Sequence, residues 1–573
     1  MPNDIPTDTG FNRLEQPLQS ERRMRIICLG AGASGLLFAY KLQRSFSNFD
    51  LTLFEKNPDI AGTWYENKYP GCACDVPAHT YTWSFEPKAD WSSVYAKAQE
   101  IRAHFNHFAD KHNLRPYVKL NHEIVRAKWG EIQGTWEVEV LDRTTQSRSL
   151  HVCDILINAG GVLNSWKWPE IPGLKEFKGT LLHTAAWDTE TDLKEKRVGL
   201  IGNGSSGIQI LPSIQPEAKT VKTFIRRPTW IMPIQGLEQR LYTDEEKAIF
   251  ENKPGALLEL RKKQETTLNG LFPMMIRDSE VQRKTLAHMS GQMRERLPSE
   301  LHEKLIPTYS IGCRRITPGV GYLESLNAKN VEIVYGNIDR ITETGIVGED
   351  GRSHELDILI CATGFNTSYR PRFPVIGKYG KNLADEWAQE PKSYFGLAAA
   401  HFPNYFMIAG PNSPVTNGPL LSAIEAQMDY ILKFVNRWQT ENIHSFAPTE
   451  EAIQDLIDFK DEFMKKTVWV DDCNGWYHQN GKVTAIWPGS TLHYLETLSA
   501  VRYDDWHFKY TGNRFTYLGN GTSQTENDPT ADWAYYITEQ DDSPYLGNKR
   551  ARQVMNKSGS TKNVAFDGGD IPF

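Results

Sequence analysis

The chain has 573 residues, more than one hydrophobic core accommodates, so about two to four domains are expected. Charged residues make up 24% and hydrophobic ones 40%, the profile of a soluble globular protein, and no stretch approaches the ~18 apolar residues of a membrane span. The net charge of −7 argues against nucleic acid as a partner, because phosphate binding calls for a basic surface, and leaves small molecules as the better fit.

The seven cysteines contain no Cys-x-x-Cys pair, so neither a metal knuckle nor a disulfide scaffold is expected and reduced thiols are the default. Cys72 and Cys74 form only a Cys-x-Cys pair and read as packing residues. The N-terminal stretch Met1–Ser20 is polar, with Pro2, Pro6 and Pro17, and lacks the apolar core of an export signal, which points to a cytoplasmic protein.

The apolar run Met24–Leu29 enters Gly30-Ala31-Gly32-Ala33-Ser34-Gly35, and Leu36–Leu42 continues with helical spacing. A second run, Leu51–Phe54, ends in Glu55, 20 residues beyond Gly35, which completes a βαβ unit. The glycines permit a tight turn and close approach of a pyrophosphate, while Glu55 suits ribose hydroxyls. A carboxylate repels a 2′-phosphate, so this site is expected to take FAD or NAD rather than NADP. The alternation Trp136-Glu137-Val138-Glu139-Val140 predicts antiparallel strands covering one side of this domain. Asp154–Gly160 is then echoed by Asp357–Gly364, the mark of a duplicated plan in which each buried strand ends in small residues near a bound dinucleotide.

Between the copies lies Phe177–Asp188, which reads either as a linker with packed Phe177 and Trp187 or as a hinge able to sense two ligands. The second copy opens with Arg197–Ile201, turns through Gly202-Asn203-Gly204-Ser205-Ser206-Gly207 and runs into a helix. Its next strand, Val221–Ile225, ends in Arg226-Arg227, with Arg226 19 residues after Gly207. A guanidinium there pairs with a 2′-phosphate, so this site is expected to prefer NADP. Thr243 and Glu246 predict a capping box that starts a helical insertion over 243–298, in which Met274, Met275, Met289 and Met293 read as core rather than pocket lining. Asn404–Ala409 is strand-like and precedes a helix over Leu420–Trp438 whose N-terminus is expected to face a flavin. Beyond Ile537 a loose or surface-wrapped tail is expected.

The predicted class is α/β, with two Rossmann-like, three-layer dinucleotide-binding domains, the second inserted in the first. The expected boundaries are an N-terminal arm over 1–21, a first domain over 22–168 and 378–537, a second over 169–377 carrying the helical insertion, and a tail over 538–573.

These motifs resemble the class B flavoprotein monooxygenases, and within them the FAD- and NADPH-dependent Baeyer–Villiger monooxygenases, over roughly residues 22–510. Phe177-x-Gly179-x-x-x-His183-x-x-x-Trp187-Asp188 fits that family's fingerprint at every fixed position, and Ala61–Asp75 matches a second family stretch. The resemblance implies that Gly62, Thr63, Trp64, Tyr65, Glu66, Asp75 and Tyr81 contact the flavin region, while Ala73, Cys74 and Asp75 approach the nicotinamide nucleotide. By the same likeness Lys56, Ile124 and Gln209 join the cofactor-binding set. In Cys313-Arg314-Arg315 it makes Arg315 the catalytic arginine, oriented by Asp75, and Arg314 a helper of Arg226 and Arg227 at the 2′-phosphate. Trp476 resembles the tryptophan of a mobile loop over NADP(H), with a packed core residue as the other reading.

The implied chemistry joins a ketone and O2. NADPH reduces FAD, dioxygen adds at flavin C4a, and the peroxide, held anionic by Arg315, attacks the carbonyl to give an ester or lactone. The alternative is a class B N- or S-oxygenase with the same nucleotide sites. Metal ligands are not expected, and the oligomeric state stays open.

Overall fold

The computed structural model describes residues 14–415, 418 and 420–539, together with the paired strands Gln553–Met555 and Thr561–Asn563. Residues 1–13 of the expected arm and most of the expected tail lie outside the described residues. The chain forms two compact units, residues 21–514 and a smaller one that joins the segment ending at Ser20 to the segment starting at Phe515. In the smaller unit the Leu18 N–H donates to the Thr522 carbonyl and the Asn520 N–H to the Gln16 carbonyl.

The larger unit begins with strand β1 (Met24–Leu29), the helix Ala33–Ser45 and β2 (Phe49–Phe54). The short β3 (Val118–Lys119) extends this parallel sheet beyond β2, and β7 (Ile155–Asn158) flanks β1 on the other side. β4 (His122–Gly130), β5 (Thr135–Asp142) and β6 (Arg148–Cys153) form the expected antiparallel ribbon. Alternate residues of a strand face opposite sides. Accordingly Met24, Ile26 and Cys28 pack into a helical core with Leu36, Phe38 and Leu42, whereas Ile27 and Phe54 pack against Ala127, Trp136 and Val138 of the ribbon.

The second sheet repeats this arrangement. β8 (Thr180–His183), β9 (Arg197–Ile201), β10 (Thr220–Ile225), β11 (Val331–Tyr335) and β15 (Ile358–Cys361) form a parallel sheet in the order β11-β10-β9-β15-β8. Val198, Leu200 and Ile360 pack on the helix Ser205–Ile214, and Phe224, Leu359 and Cys361 pack on the antiparallel strands β12 (Ile338–Thr342), β13 (Gly345–Gly348) and β14 (Ser353–Glu355). Each half is thus helices, parallel sheet and antiparallel sheet. The chain then returns to the first half: β16 (Val375–Ile376) joins β4, and β17 (Tyr405–Met407) joins β7.

The run 243–298 is helical, and Thr243 with Glu246 forms the capping box. Its packing is divided between the halves. Phe250 lies on the first core and Arg261 donates to the carbonyls of His79, Trp83 and Ser84, whereas the four methionines are buried in the second core. The helix Leu420–Thr440 follows residues 416, 417 and 419, which lie outside the described set, so its expected approach to a flavin does too.

The thiol expectation is corrected. Cys313 and Cys473 form a disulfide across 160 residues of sequence, with Cα atoms 6.2 Å apart. Nothing in their spacing reveals the pair, because only the fold brings the two segments together. Cys72 and Cys74 are free and buried, as packing residues are. No described helix is long and apolar enough to cross a membrane.

Candidate active site

Both glycine fingerprints lie at the carboxyl end of the central strand of a parallel sheet, where such folds receive dinucleotides. Gly30 has φ of 94°, and a Cβ there would meet the Ala159 carbonyl oxygen at 2.9 Å. Gly202, with φ of 105°, meets Ala362 in the same way at 2.6 Å. The helices that follow start at Ala33 and Ser205, with Gly32 and Gly204 as caps that offer no side-chain hydrogen bond and no acidic residue in the first turn. Their first N–H groups, in Ala33, Ser34, Ser205 and Ser206, are therefore left to an anion, the need a pyrophosphate meets.

At the first site Glu55 is 4% exposed and accepts the N–H groups of Ala31 and Asn57, each at 2.9 Å. Burial raises its pKa while those two donors oppose the rise. Gly62 comes down on the turn: a Cβ on Gly62 would sit 3.0 Å from the Gly32 Cα. It leads into the short helix Thr63–Glu66, and Ala61 before it holds a left-handed φ of 82° although it is not glycine, a backbone cost expected at functional loops. Lys56 and Glu66 pair at 2.8 Å, and Asn164 bridges both, a role with no sequence signal. The Trp64 indole N–H donates to the Tyr81 hydroxyl at 3.3 Å, and Tyr65 stacks under Lys68 and Arg102. The Ile124 side chain, on the ribbon strand β4, is buried in the core between the ribbon and the first parallel sheet, so any part it has in holding a nucleotide belongs to its main chain.

The second site opens on a cleft of about 640 Å³ lined by Gly202–Ser205, Arg226, Arg227, Arg314, Arg315 and Trp476. A Cβ on Gly204 would meet no protein atom within 4 Å, so the backbone there faces the open cleft. Arg226 is exposed. Arg227 reaches Asp472 at 3.2 Å, and Arg314 donates to the Pro228 carbonyl at 3.1 Å. Asn203 donates to the Arg227 carbonyl. Gln209 faces the other half of the protein: its amide donates to the Ala73 carbonyl at 2.9 Å and accepts the Tyr69 hydroxyl at 2.7 Å.

Arg315 stands where the halves meet. Its Nε and Nη2 donate to the two oxygens of Asp75, both at 2.6 Å, and its Nη1 donates to the Val415 carbonyl at 2.9 Å. This bidentate geometry fixes the guanidinium plane, and the Asp75 charge raises its pKa still further, so it is a permanent cation. Cys74 beside it is a buried neutral thiol whose pKa burial raises. Trp476 is half-buried, packs on Tyr477 with centroids 4.7 Å apart and forms part of the cleft wall.

The NAD(P)-binding Rossmann-like domain family matches residues 28–98, which carry the first fingerprint and Asp75. A Baeyer–Villiger monooxygenase of Pseudomonas aeruginosa is 33% identical over 484 residues, covering 82% of this chain and 88% of that one. The chain belongs to the Baeyer–Villiger monooxygenase family. An FAD-binding monooxygenase of Aspergillus terreus, tazF, is 39% identical over 570 residues, 94% of this chain and all of that one. A closed structure of cyclohexanone monooxygenase superposes with a TM-score of 0.75 at 26% identity, covering 86% of this chain and 100% of its own. A cyclohexanone monooxygenase from Rhodococcus bound to NADP+ gives 0.74 at 28%, with the same coverage.

In this Baeyer–Villiger monooxygenase each fixed position of the stretch Phe177–Asp188 has a local structural setting. Phe177 is buried against Leu359, and a Cβ on Gly179 would lie 2.4 Å from the Asp357 carbonyl oxygen and 2.6 Å from the Phe177 ring. His183 ends β8, is 1% exposed, accepts the Ala185 N–H on Nδ1 and donates from Nε2 to Thr363 at 3.2 Å. Its ring stacks on Trp166 at 4.5 Å and meets Trp168 edge-on. Trp166 and Thr363 lie on the two chain crossings between the halves, which also touch through a bridge from Trp166 to Phe365. Desolvation lowers the His183 pKa to about 4. Trp187 lines a smaller cleft opposite Lys56 and Glu66, and Asp188 caps a local turn by accepting the Glu190 N–H.

Proposed function

We propose that this Baeyer–Villiger monooxygenase uses FAD and NADPH to place one oxygen atom of O2 beside a ketone carbonyl, releasing an ester or lactone. The observation that carries the reading is the Arg315–Asp75 pair at the cleft that Gly202–Ser205 and Arg226 also line. FAD fits the first fingerprint, where the helix start is bare and Glu55 retains lone pairs for ribose hydroxyls. NADP(H) fits the second, where Gly204 is open and Arg226 and Arg227 suit a 2′-phosphate.

When bound, the two cofactors supply hydride transfer and oxygen activation. The chain's own groups do the rest. Arg315, immobilised by Asp75 and Val415, holds a positive charge at the cleft, where it would stabilise, without reorganising during the reaction, an oxygen that gains negative charge. Trp476 helps to exclude water from that cleft. His183 couples the two crossings on which the halves can move. We place the reaction in the cytoplasm, where NADPH is supplied. Relatives named for ketone-oxidising enzymes favour carbon over nitrogen or sulfur as the site of oxygenation.

The test is NADPH oxidation by the purified FAD-loaded protein with cyclohexanone and larger ketones, followed by product identification. Lactone or ester is expected; with a thioether and an amine offered in parallel, sulfoxide or N-oxide formation and no ester or lactone from any ketone would remove the reading.

A further inference from the structure

Cys313 directly precedes Arg314 and Arg315, and Cys473 directly precedes Asn474, Gly475 and Trp476. The disulfide therefore joins the arginine-bearing segment to the tryptophan loop at the mouth of one cleft. Both half-cystines are 0% exposed. The other ties between these neighbourhoods are weak ones. The Ser310 N–H donates to Asp471 at 3.2 Å, and the Arg227–Asp472 pair is largely exposed, a kind of ion pair that restrains little. Contact is nevertheless close, since a Cβ on Gly475 would lie 3.2 Å from the Cys313 carbonyl oxygen. The fully buried Trp469 and Tyr477 anchor the ends of the loop in the second core, and the disulfide is the covalent link between the loop itself and the arginine segment.

We propose that Cys313–Cys473 is a thiol-responsive tether that holds the Trp476 loop against the arginine segment and so sets the affinity of the cleft for NADP(H). The proposal rests on the reading of that cleft as the NADP(H) site. A disulfide in a reducing compartment is characteristically a transient, redox-sensing one. The reductant is a dithiol: its two S–H groups deliver two electrons and two protons, the Sγ–Sγ bond breaks, both cysteines become thiols, and the reductant closes to its own disulfide. The remaining cysteines, Cys28, Cys72, Cys74, Cys153 and Cys361, are free and buried, and burial pushes Cys72 up to about 11, so they are poor thiolate donors for competing exchange. Because both sulfurs are buried, attack requires local fraying around them that the intact disulfide still allows, and NADP+ in the cleft opposes that fraying.

The experiment uses the FAD-loaded full chain. Titration with 5,5′-dithiobis(2-nitrobenzoate) in denaturant is expected to find five thiols before treatment with dithiothreitol and seven after it. Reduction is expected to raise the KM for NADPH about tenfold, the equivalent of ~1.4 kcal/mol, with FAD content and the KM for ketone unchanged. NADP+ should slow the reduction. The Cys313→Ser/Cys473→Ser variant should show the same raised KM and no longer respond to dithiothreitol; if it fails to fold, the reversible change in the wild-type protein on reduction and reoxidation decides alone. Seven thiols before reduction, or an unchanged KM after it, overturns the tether. A KM that moves in Arg226→Ala but not on reduction rejects the tether alone, whereas one indifferent to both rejects the assignment of the cleft.

Discussion

Gly35 and Gly207 occupy the same place in the two fingerprints, and in each a Cβ would lie 2.0 and 2.1 Å, respectively, from the carbonyl oxygen of the first glycine. Gly32 and Gly204 also correspond, yet Gly32 lies under Gly62 while Gly204 faces open space. The acidic partner of the first turn, Glu55, is buried and held by two backbone N–H groups; its counterpart Arg226 is exposed, with Arg227 and Arg314 nearby on the same cleft. Where the copies agree, the backbone's own packing demands the residue. Where they differ, the proposed ligands would account for it: an enclosed site suits a group that stays, and an open cationic one suits a cosubstrate exchanged in every cycle.

Arg315 belongs to neither copy, and its loss should have the largest effect. Arg315→Ala is expected to lower the rate of ketone oxygenation by about 10²–10³, the scale of a lost oxyanion donor, while FAD content measured by absorbance stays intact. Loss of FAD instead would make the residue a structural post. The contrast between the acidic and basic partners is broken or kept by two variants. Arg226→Ala should raise the KM for NADPH about ten- to hundredfold and that for NADH little, as expected for a lost charge-assisted hydrogen bond. Glu55→Gln should act on FAD retention and not on the KM for NADPH; a rise in that KM would mean that the sites do not differ as described.

The glycines sharpen the comparison further. Gly207→Ala should cost roughly 1–3 kcal/mol of stability in thermal unfolding, because its Cβ collides with backbone. Gly204→Ala should unfold like the wild type and weaken only NADP+ binding, read by fluorescence titration. A further effect concerns pH. The folded His183 has a pKa of about 4 against an ordinary 6.5, so the unfolded chain takes up a proton that the folded chain refuses. Its contribution to stability is complete above pH 6.5 and is lost as the pH falls from 6.5 towards 4. His183→Asn should reduce the pH dependence of stability in that window, measured by denaturant titration at several pH values, and an unchanged slope would assign the acid sensitivity to His79 and His104, which burial also lowers to about 4.

What the amino-acid sequence by itself determined was everything set by short-range pattern. The strands before Gly30 and Gly202, the helices after them, the capping box at Thr243 and the reversal of charge between Glu55 and Arg226 depend on residues within some 25 positions of one another. Through its resemblance to known enzymes it also paired Asp75 with Arg315. Only the tertiary structure decided the rest. The disulfide of Cys313 with Cys473, the reach of Arg227 to Asp472, the grip of Gln209 on Ala73 and the division of the helical insertion between two cores all join segments far apart in the chain. So does the setting of His183 between Trp166 and Thr363. Such contacts leave no periodicity or spacing to read, because closing a loop of more than a hundred residues costs little more than closing a short one, and the packing of the whole chooses which distant groups meet.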